Sequence, residues 1–199
     1  MNLPNRLTLL RILLVPVFLV CLYAAFPFHF TAALAVYAIA SITDALDGKI
    51  ARARNLITTF GKFADPLADK ILVLAAFAAL SDISKGLELG LGTAYSLHVN
   101  GIVVTIIAAR EFMVSGLRLV TAEKGVVVAA GIWGKLKTAF TMVTQVIILL
   151  CLCLTEFSIP AIGGFMSWVF FALVWLSAAL TIISGAVYLK GYRNYIDAA

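Results

Sequence analysis

The chain has 199 residues, of which 63% are hydrophobic and 13% charged, whereas a water-soluble domain carries roughly 25% charged residues. This composition excludes an ordinary soluble domain and suits an integral membrane protein, with length for about six helices of about 20 apolar residues each. The formal net charge of +5 then marks a cytoplasmic membrane face and affinity for anionic membrane lipids, with no nucleic acid as partner.

Arg6 precedes, and Arg11 lies near the start of, an apolar run over residues 7–26 that stops at Pro27. A charged start followed by an apolar run has the outline of a signal peptide, but the next apolar run begins almost at once, so a first membrane helix is expected. The residues before Leu7 form a short N-terminal juxtamembrane segment, mildly amphipathic and suited to the interface. Hydropathy predicts further helices over residues 31–54, 60–80, 97–121, 132–154 and 165–190. The expected fold is all-α, a polytopic six-transmembrane-helix bundle forming one domain over residues 1–199. Cys21, Cys151 and Cys153 all fall in apolar runs, with no partners at metal spacing, and read as small buried apolar residues.

Charge sets the orientation. Arg6, Arg11, Lys49, Arg52, Arg54 and Lys62 flank the N-terminus and the second loop; Arg118, Lys124, Lys135 and Lys137 flank the fourth; Lys190 and Arg193 follow the last helix. The alternate loops hold only Lys85, with Asp82, Glu88, Glu156, His29 and His98 on that side. Both termini and the even-numbered loops are therefore expected in the cytoplasm, and the two histidines read as solvated residues at the membrane edge.

Asp44, Asp47, Asp65 and Asp69 fall within predicted helices two and three or at their cytoplasmic ends. An aspartate at the centre of a spanning helix costs about 2.5–3.5 kcal/mol on insertion scales, and such residues usually face a cavity and carry function. Spacings of three and four put each pair on one helix face. The short connection makes the helices antiparallel neighbours, so the acidic faces meet. Clustered carboxylates repel unless cations lie between them, and an all-oxygen set suits Mg²⁺ or Mn²⁺ rather than zinc. The bland alternative is salt bridging to Lys49, Arg52, Lys62 and Lys70.

The segment Asp44-x2-Asp47-Gly48-x2-Ala51-Arg52-x8-Gly61-x3-Asp65-x3-Asp69 resembles, without a departure, the signature of the CDP-alcohol phosphotransferase family. The run from Pro4 to Arg11 is a softer match. The resemblance implies that Asp44, Asp47, Asp65 and Asp69 hold two divalent ions, that Asp69 is also the general base, and that Gly48, Arg52 and Thr58 contact the CDP part of a CDP-diacylglycerol donor. It also implies a homodimer, for which the small-residue run Ser184-Gly185-Ala186 offers a close-packing surface here or, equally, within one bundle.

A second constellation is basic. Arg110 lies deep in predicted helix four beside Glu111, Arg118 lies two turns on, and Lys135 and Lys137 open helix five beside Gly134. Cations in membrane helices need a partner; Glu111 or the aspartates serve Arg110, and interface anchoring serves the lysines. Alternatively Arg110, Arg118, Lys135 and Lys137 form a pocket for a phosphorylated alcohol, since arginine grips phosphate with a fork of donors. The runs Ala109–Arg118 and Gly134–Thr138 resemble those family members whose acceptor is glycerol 3-phosphate, which implies phosphatidyl transfer to that acceptor with release of CMP. Other readings are a different acceptor (inositol phosphate or phosphatidylglycerol), an intramembrane prenyltransferase, and a cation transporter.

Overall fold

A computed structural model describes the backbone of residues 3–24, 26–54, 59–88, 97–123, 131–157 and 163–196; within these, side chains are described except at 3–5, 44–54, 59–66, 69, 85–88, 119–120, 122–123, 163–164 and 192–196. The described residues form six helices and no strand: α1 Leu3–Tyr23, α2 His29–Arg54, α3 Thr59–Glu88, α4 Gly101–Glu123, α5 Ile132–Glu156 and α6 Gly163–Ile196. The expected all-α bundle is therefore present. The juxtamembrane segment expected before Leu7 is the first turn of α1, continuous with the rest of that helix.

Among the described residues three spans are long and apolar enough to cross a membrane, Arg6–Tyr23, Ile132–Glu156 and Phe165–Gly191, with a shorter apolar stretch over His29–Thr43 in α2. The other three helices carry charge in their sequences: α2 with Asp44 and Asp47, α3 with Asp65, Asp69 and Lys70, α4 with Arg110, Glu111 and Arg118.

α1 packs on α2 and α3, α5 on α2 and α6, α4 on α6, and α3 also meets α4 and α5. Phe18, Tyr37, Leu72, Phe77, Ile107, Ile148 and Phe170 meet in one enclosed core. Because a bilayer removes the hydrophobic drive between helices, close packing and interhelical hydrogen bonds hold such a bundle. Three levels of polar contact are visible here. At one end, Glu156 of α5 accepts hydrogen bonds from the backbone N–H groups of Phe30 and Thr31 at 2.7 and 3.0 Å and from Thr31 Oγ1 at 2.7 Å. It caps the otherwise unpaired donors at the start of α2. Tyr23 of α1 donates to Asp82 of α3 at the same end, 3.2 Å. At mid-bundle, Tyr37 Oη donates to Gln145 Oε1 at 2.5 Å while Gln145 Nε2 donates to the Val73 carbonyl at 2.7 Å, tying α2, α5 and α3 together. The opposite end carries the candidate site.

Several ends differ from expectation. α3 continues eight residues past 80, because Asp82 finds Tyr23 as a partner and the helix keeps a packed face through Ser81 and Ser84. α4 begins at Gly101 rather than 97: Asn100 Oδ1 accepts from the Val103 N–H at 3.0 Å, an N-cap, and His98 before it has a φ of 51°. Leu97 and Val99 are enclosed without being helical. Neither histidine is fully solvated: His29 lies 4.0 Å from Glu156, and His98 packs edge-on against Phe171.

Candidate active site

The acidic segments are placed by backbone register. On α2 the inward stripe runs through Ala33, Tyr37 and Ala40, all fully buried. Asp44 and Asp47 follow Tyr37 and Ala40 by seven residues, two helical turns, and so continue that stripe. On α3 the stripe runs through Ala68, Leu72 and Ala76, also buried, and Asp65 and Asp69 precede Leu72 and Ala76 by seven residues. The four positions thus extend the two stripes that meet Gln145, both toward the end of the bundle away from Glu156. At 1.5 Å per residue, Asp69 lies about 6 Å beyond the level of Val73, Asp65 about 12 Å, and Asp44 about 10 Å beyond Tyr37. The side chains of all four, and of Gly48's neighbours Lys49 and Arg52, lie outside the described residues, as does Thr58 entirely. Among the described residues no group of three metal-ligating side chains occurs.

The basic constellation is described in full. Arg110, Glu111 and Lys137 are each at least nine-tenths buried. Lys137 Nζ pairs with Glu111 Oε1, and Arg110 Nη1 reaches the same oxygen at 3.4 Å. Arg110 Nη2 donates to Ser184 Oγ of α6 at 2.6 Å, while its Nε finds no hydrogen-bond partner among the described residues. Lys70 of α3 and Arg110 both lie near enough to Lys137 for their charges to act on it. This cluster therefore adjoins the α3 segment that bears Asp69.

Tyr188 of α6 organises the outer part. Its ring lies under both guanidinium groups, Arg110 at 5.3 Å and Arg118 at 5.2 Å, within cation–π range. Its hydroxyl accepts a hydrogen bond from Arg118 Nη2 at 2.5 Å. Two glycines permit the approach. A Cβ on Gly185 would come within 3.2 Å of Arg110 Cγ, and one on Gly134 would touch the Tyr188 ring at 3.4 Å. The run Ser184-Gly185-Ala186, read from sequence as a packing surface, thus packs on α4 of the same chain. Lys135 is exposed and, two residues before Lys137, sits about 200° round the helix from it.

The arrangement brings together Arg110, Arg118 and Lys137 from the sequence-derived set, with Lys135 on a different face of α5. Sequence reasoning weighed Glu111 only as a neutralising neighbour and missed Tyr188 and Ser184. No local signal marks those two, because their partners lie 70 and 74 residues away. Chemically, guanidinium and ammonium groups outnumber carboxylates within this described cluster, as a pocket for a doubly charged phosphate requires.

The chain belongs to the CDP-alcohol phosphatidyltransferase family, whose profile matches residues 1–183. Relatives over nearly the whole length bear the name CDP-diacylglycerol–glycerol-3-phosphate 3-phosphatidyltransferase. That of Bacillus subtilis is 38% identical over 95% of this chain and 94% of its own length. That of Rickettsia bellii is 36% identical over 98% and 97%, and that of Pseudomonas fluorescens is 36% identical over 100% and 90%.

Proposed function

We propose that this chain transfers the phosphatidyl group of CDP-diacylglycerol to glycerol 3-phosphate, giving phosphatidylglycerol phosphate and CMP. The observation that carries the choice of acceptor is the buried set Arg110, Lys137 and Glu111 joined through Tyr188 to Arg118. An acceptor bearing phosphate needs such a set; a neutral or cationic alcohol does not. Relatives named for this reaction, at 36–38% identity over almost all of the chain, support the same reading.

The donor fits the membrane setting. Its acyl chains stay in lipid while its anionic diphosphate lies at the acidic end of α2 and α3. Asp44, Asp47, Asp65 and Asp69 are the residues assigned to hold a pair of Mg²⁺ or Mn²⁺ ions there; their seven-residue spacing from buried positions of α2 and α3 supports this, and oxygen donors suit these ions. When bound, such ions neutralise the diphosphate and stabilise the departing charge. Gly48, Arg52 and Thr58 are assigned to the CDP moiety, and Arg110, Arg118 and Lys137, with Lys135 at the rim, to the acceptor phosphate. Asp69 takes the proton of the acceptor hydroxyl; that oxygen forms the new bond to the lipid-bearing phosphorus, and the bond to CMP breaks with its electrons leaving on the nucleotide. Positioning and charge stabilisation supply most of the acceleration in phosphoryl-type transfer.

The site, both termini and the even-numbered loops face the cytoplasm in this reading, in the cytoplasmic membrane, because Lys and Arg gather there. A homodimer is part of the same proposal. The test is CMP release by purified protein with CDP-diacylglycerol, Mg²⁺ and a panel of acceptors. Release with glycerol 3-phosphate, and not with inositol phosphate or phosphatidylglycerol, is expected; preference for either of the latter overturns the acceptor assignment.

A further inference from the structure

Thr141 of α5 has a hydroxyl without a hydrogen bond among the described residues. The residue is 1% exposed, and its Oγ1 has no partner among the described residues. A threonine inside a membrane helix ordinarily donates back to the carbonyl of the preceding turn, and its neighbours on α5 do so. Thr138 donates to Gly134 at 3.0 Å, Thr144 to Phe140 at 2.9 Å and Thr155 to Leu152 at 2.6 Å. Thr141 departs from this pattern although burying an unpaired hydroxyl costs stability.

Its position gives that departure a use. Lys137, Thr141 and Gln145 recur every four residues and are all buried, so they form one inward polar stripe. Lys137 belongs to the basic cluster at one end of this stripe, and Gln145 bridges the α2 and α3 stripes at the other. Counting from Gln145 toward Lys137, Thr141 lies about 6 Å along α5; counting from Val73, Asp69 lies about 6 Å along α3 in the same direction. Thr141 and Asp69 are thus at matching depth, one turn past the cationic cluster. Arg110 Nε, within that cluster, is likewise without a partner among the described residues.

We propose that Thr141 Oγ1 hydrogen-bonds the secondary hydroxyl of the acceptor and so selects a phosphorylated diol over a phosphorylated simple alcohol. This rests on the phosphatidyl-transfer reading above. With its phosphate among Arg110, Arg118 and Lys137, a three-carbon acceptor directs its far hydroxyl to the depth of Asp69 and its middle hydroxyl to the side of α5 one turn from Lys137. A threonine hydroxyl both donates and accepts, which matches an alcohol and leaves the charge balance of the site untouched. Thr141 is a specificity-determining residue in this assignment, and Asp69 remains the base.

The test compares glycerol 3-phosphate with 3-hydroxypropyl phosphate, which lacks only the secondary hydroxyl, as acceptors for purified wild type, Thr141→Val and Thr141→Ser in the presence of CDP-diacylglycerol and Mg²⁺. Wild type is expected to favour glycerol 3-phosphate by roughly tenfold in kcat/KM, the effect of one neutral hydrogen bond. Thr141→Val should lose most of that preference with KM for CDP-diacylglycerol and Tm unchanged or Tm raised; Thr141→Ser should keep it. Equal preference in wild type and Thr141→Val, or an equal loss with both acceptors, overturns the assignment. If Thr141→Val does not fold, Thr141→Ala is read by the same within-variant ratio. CMP release with neither acceptor by wild type would remove the underlying activity itself, a result distinct from an unchanged ratio.

Discussion

Lys137 of α5 and Glu111 of α4 form an ion pair whose side chains are only 4% and 11% exposed. Arg110 shares the same carboxylate oxygen. Among the described residues, one carboxylate faces two enclosed cations in a region of low dielectric. The pair ties α4 to α5, and the two cations on one carboxylate are the groups that the proposed acceptor phosphate would meet.

Glu111→Gln removes the carboxylate and leaves Lys137 and Arg110 facing each other. Breaking one side of a buried pair costs about 3–5 kcal/mol, so a marked fall in thermal stability is expected. Added glycerol 3-phosphate should recover part of it, since a ligand that binds only the folded state stabilises by mass action. The check is Tm with and without the acceptor. A ligand-induced rise no larger than that of wild type would argue against anion binding among these residues.

Arg118→Ala should raise KM for glycerol 3-phosphate by about tenfold, the scale of one charge-assisted hydrogen bond, with KM for CDP-diacylglycerol little changed. Tyr188→Phe keeps the ring beneath both guanidinium groups and removes only the hydroxyl that accepts from Arg118. It should give a smaller rise in the same parameter. Steady-state kinetics with each substrate varied in turn separates the two.

Glu156→Gln addresses the far end of the bundle. The carboxylate takes two backbone donors and one hydroxyl at the start of α2. Weakening this cap should cost about 1–2 kcal/mol, seen as a lower Tm, while KM for either substrate stays as in wild type. A change in acceptor KM without a change in Tm would contradict a purely structural role.

Asp44→Asn should raise the Mg²⁺ concentration needed for half-maximal activity and weaken CDP-diacylglycerol binding together, because one oxygen ligand loses its charge. The readouts are a metal titration of activity and a direct donor-binding measurement. Weakened donor binding with an unaltered metal requirement would move Asp44 out of the ion-holding set.

The six helices were legible because long apolar runs carry a strong signal. Their ends were less so. Hydropathy placed Leu97 and Val99 in α4, yet Asn100 caps the helix after them; an enclosed extended segment and a helix have the same apolar content. It also stopped α3 at 80, since Asp82 reads as a loop residue unless Tyr23 is known to face it. For the proposed site, spacing put each aspartate pair on one helix face, and the backbone register relative to the buried residues Tyr37 and Leu72 supports an inward direction for those faces. Arg110, Arg118 and Lys137 were legible as cations in apolar surroundings. Tyr188 was not, because an aromatic residue near a helix end is common, and only the fold brings it beneath two arginines.

The most direct measurement is CMP release by Asp69→Asn protein, made alongside its binding of CDP-diacylglycerol. Asparagine keeps the size of the side chain and removes its basicity, so turnover with glycerol 3-phosphate should vanish while the donor still binds. Turnover near that of wild type would contradict the account of two acidic helices acting on a lipid-linked diphosphate with Asp69 as the base.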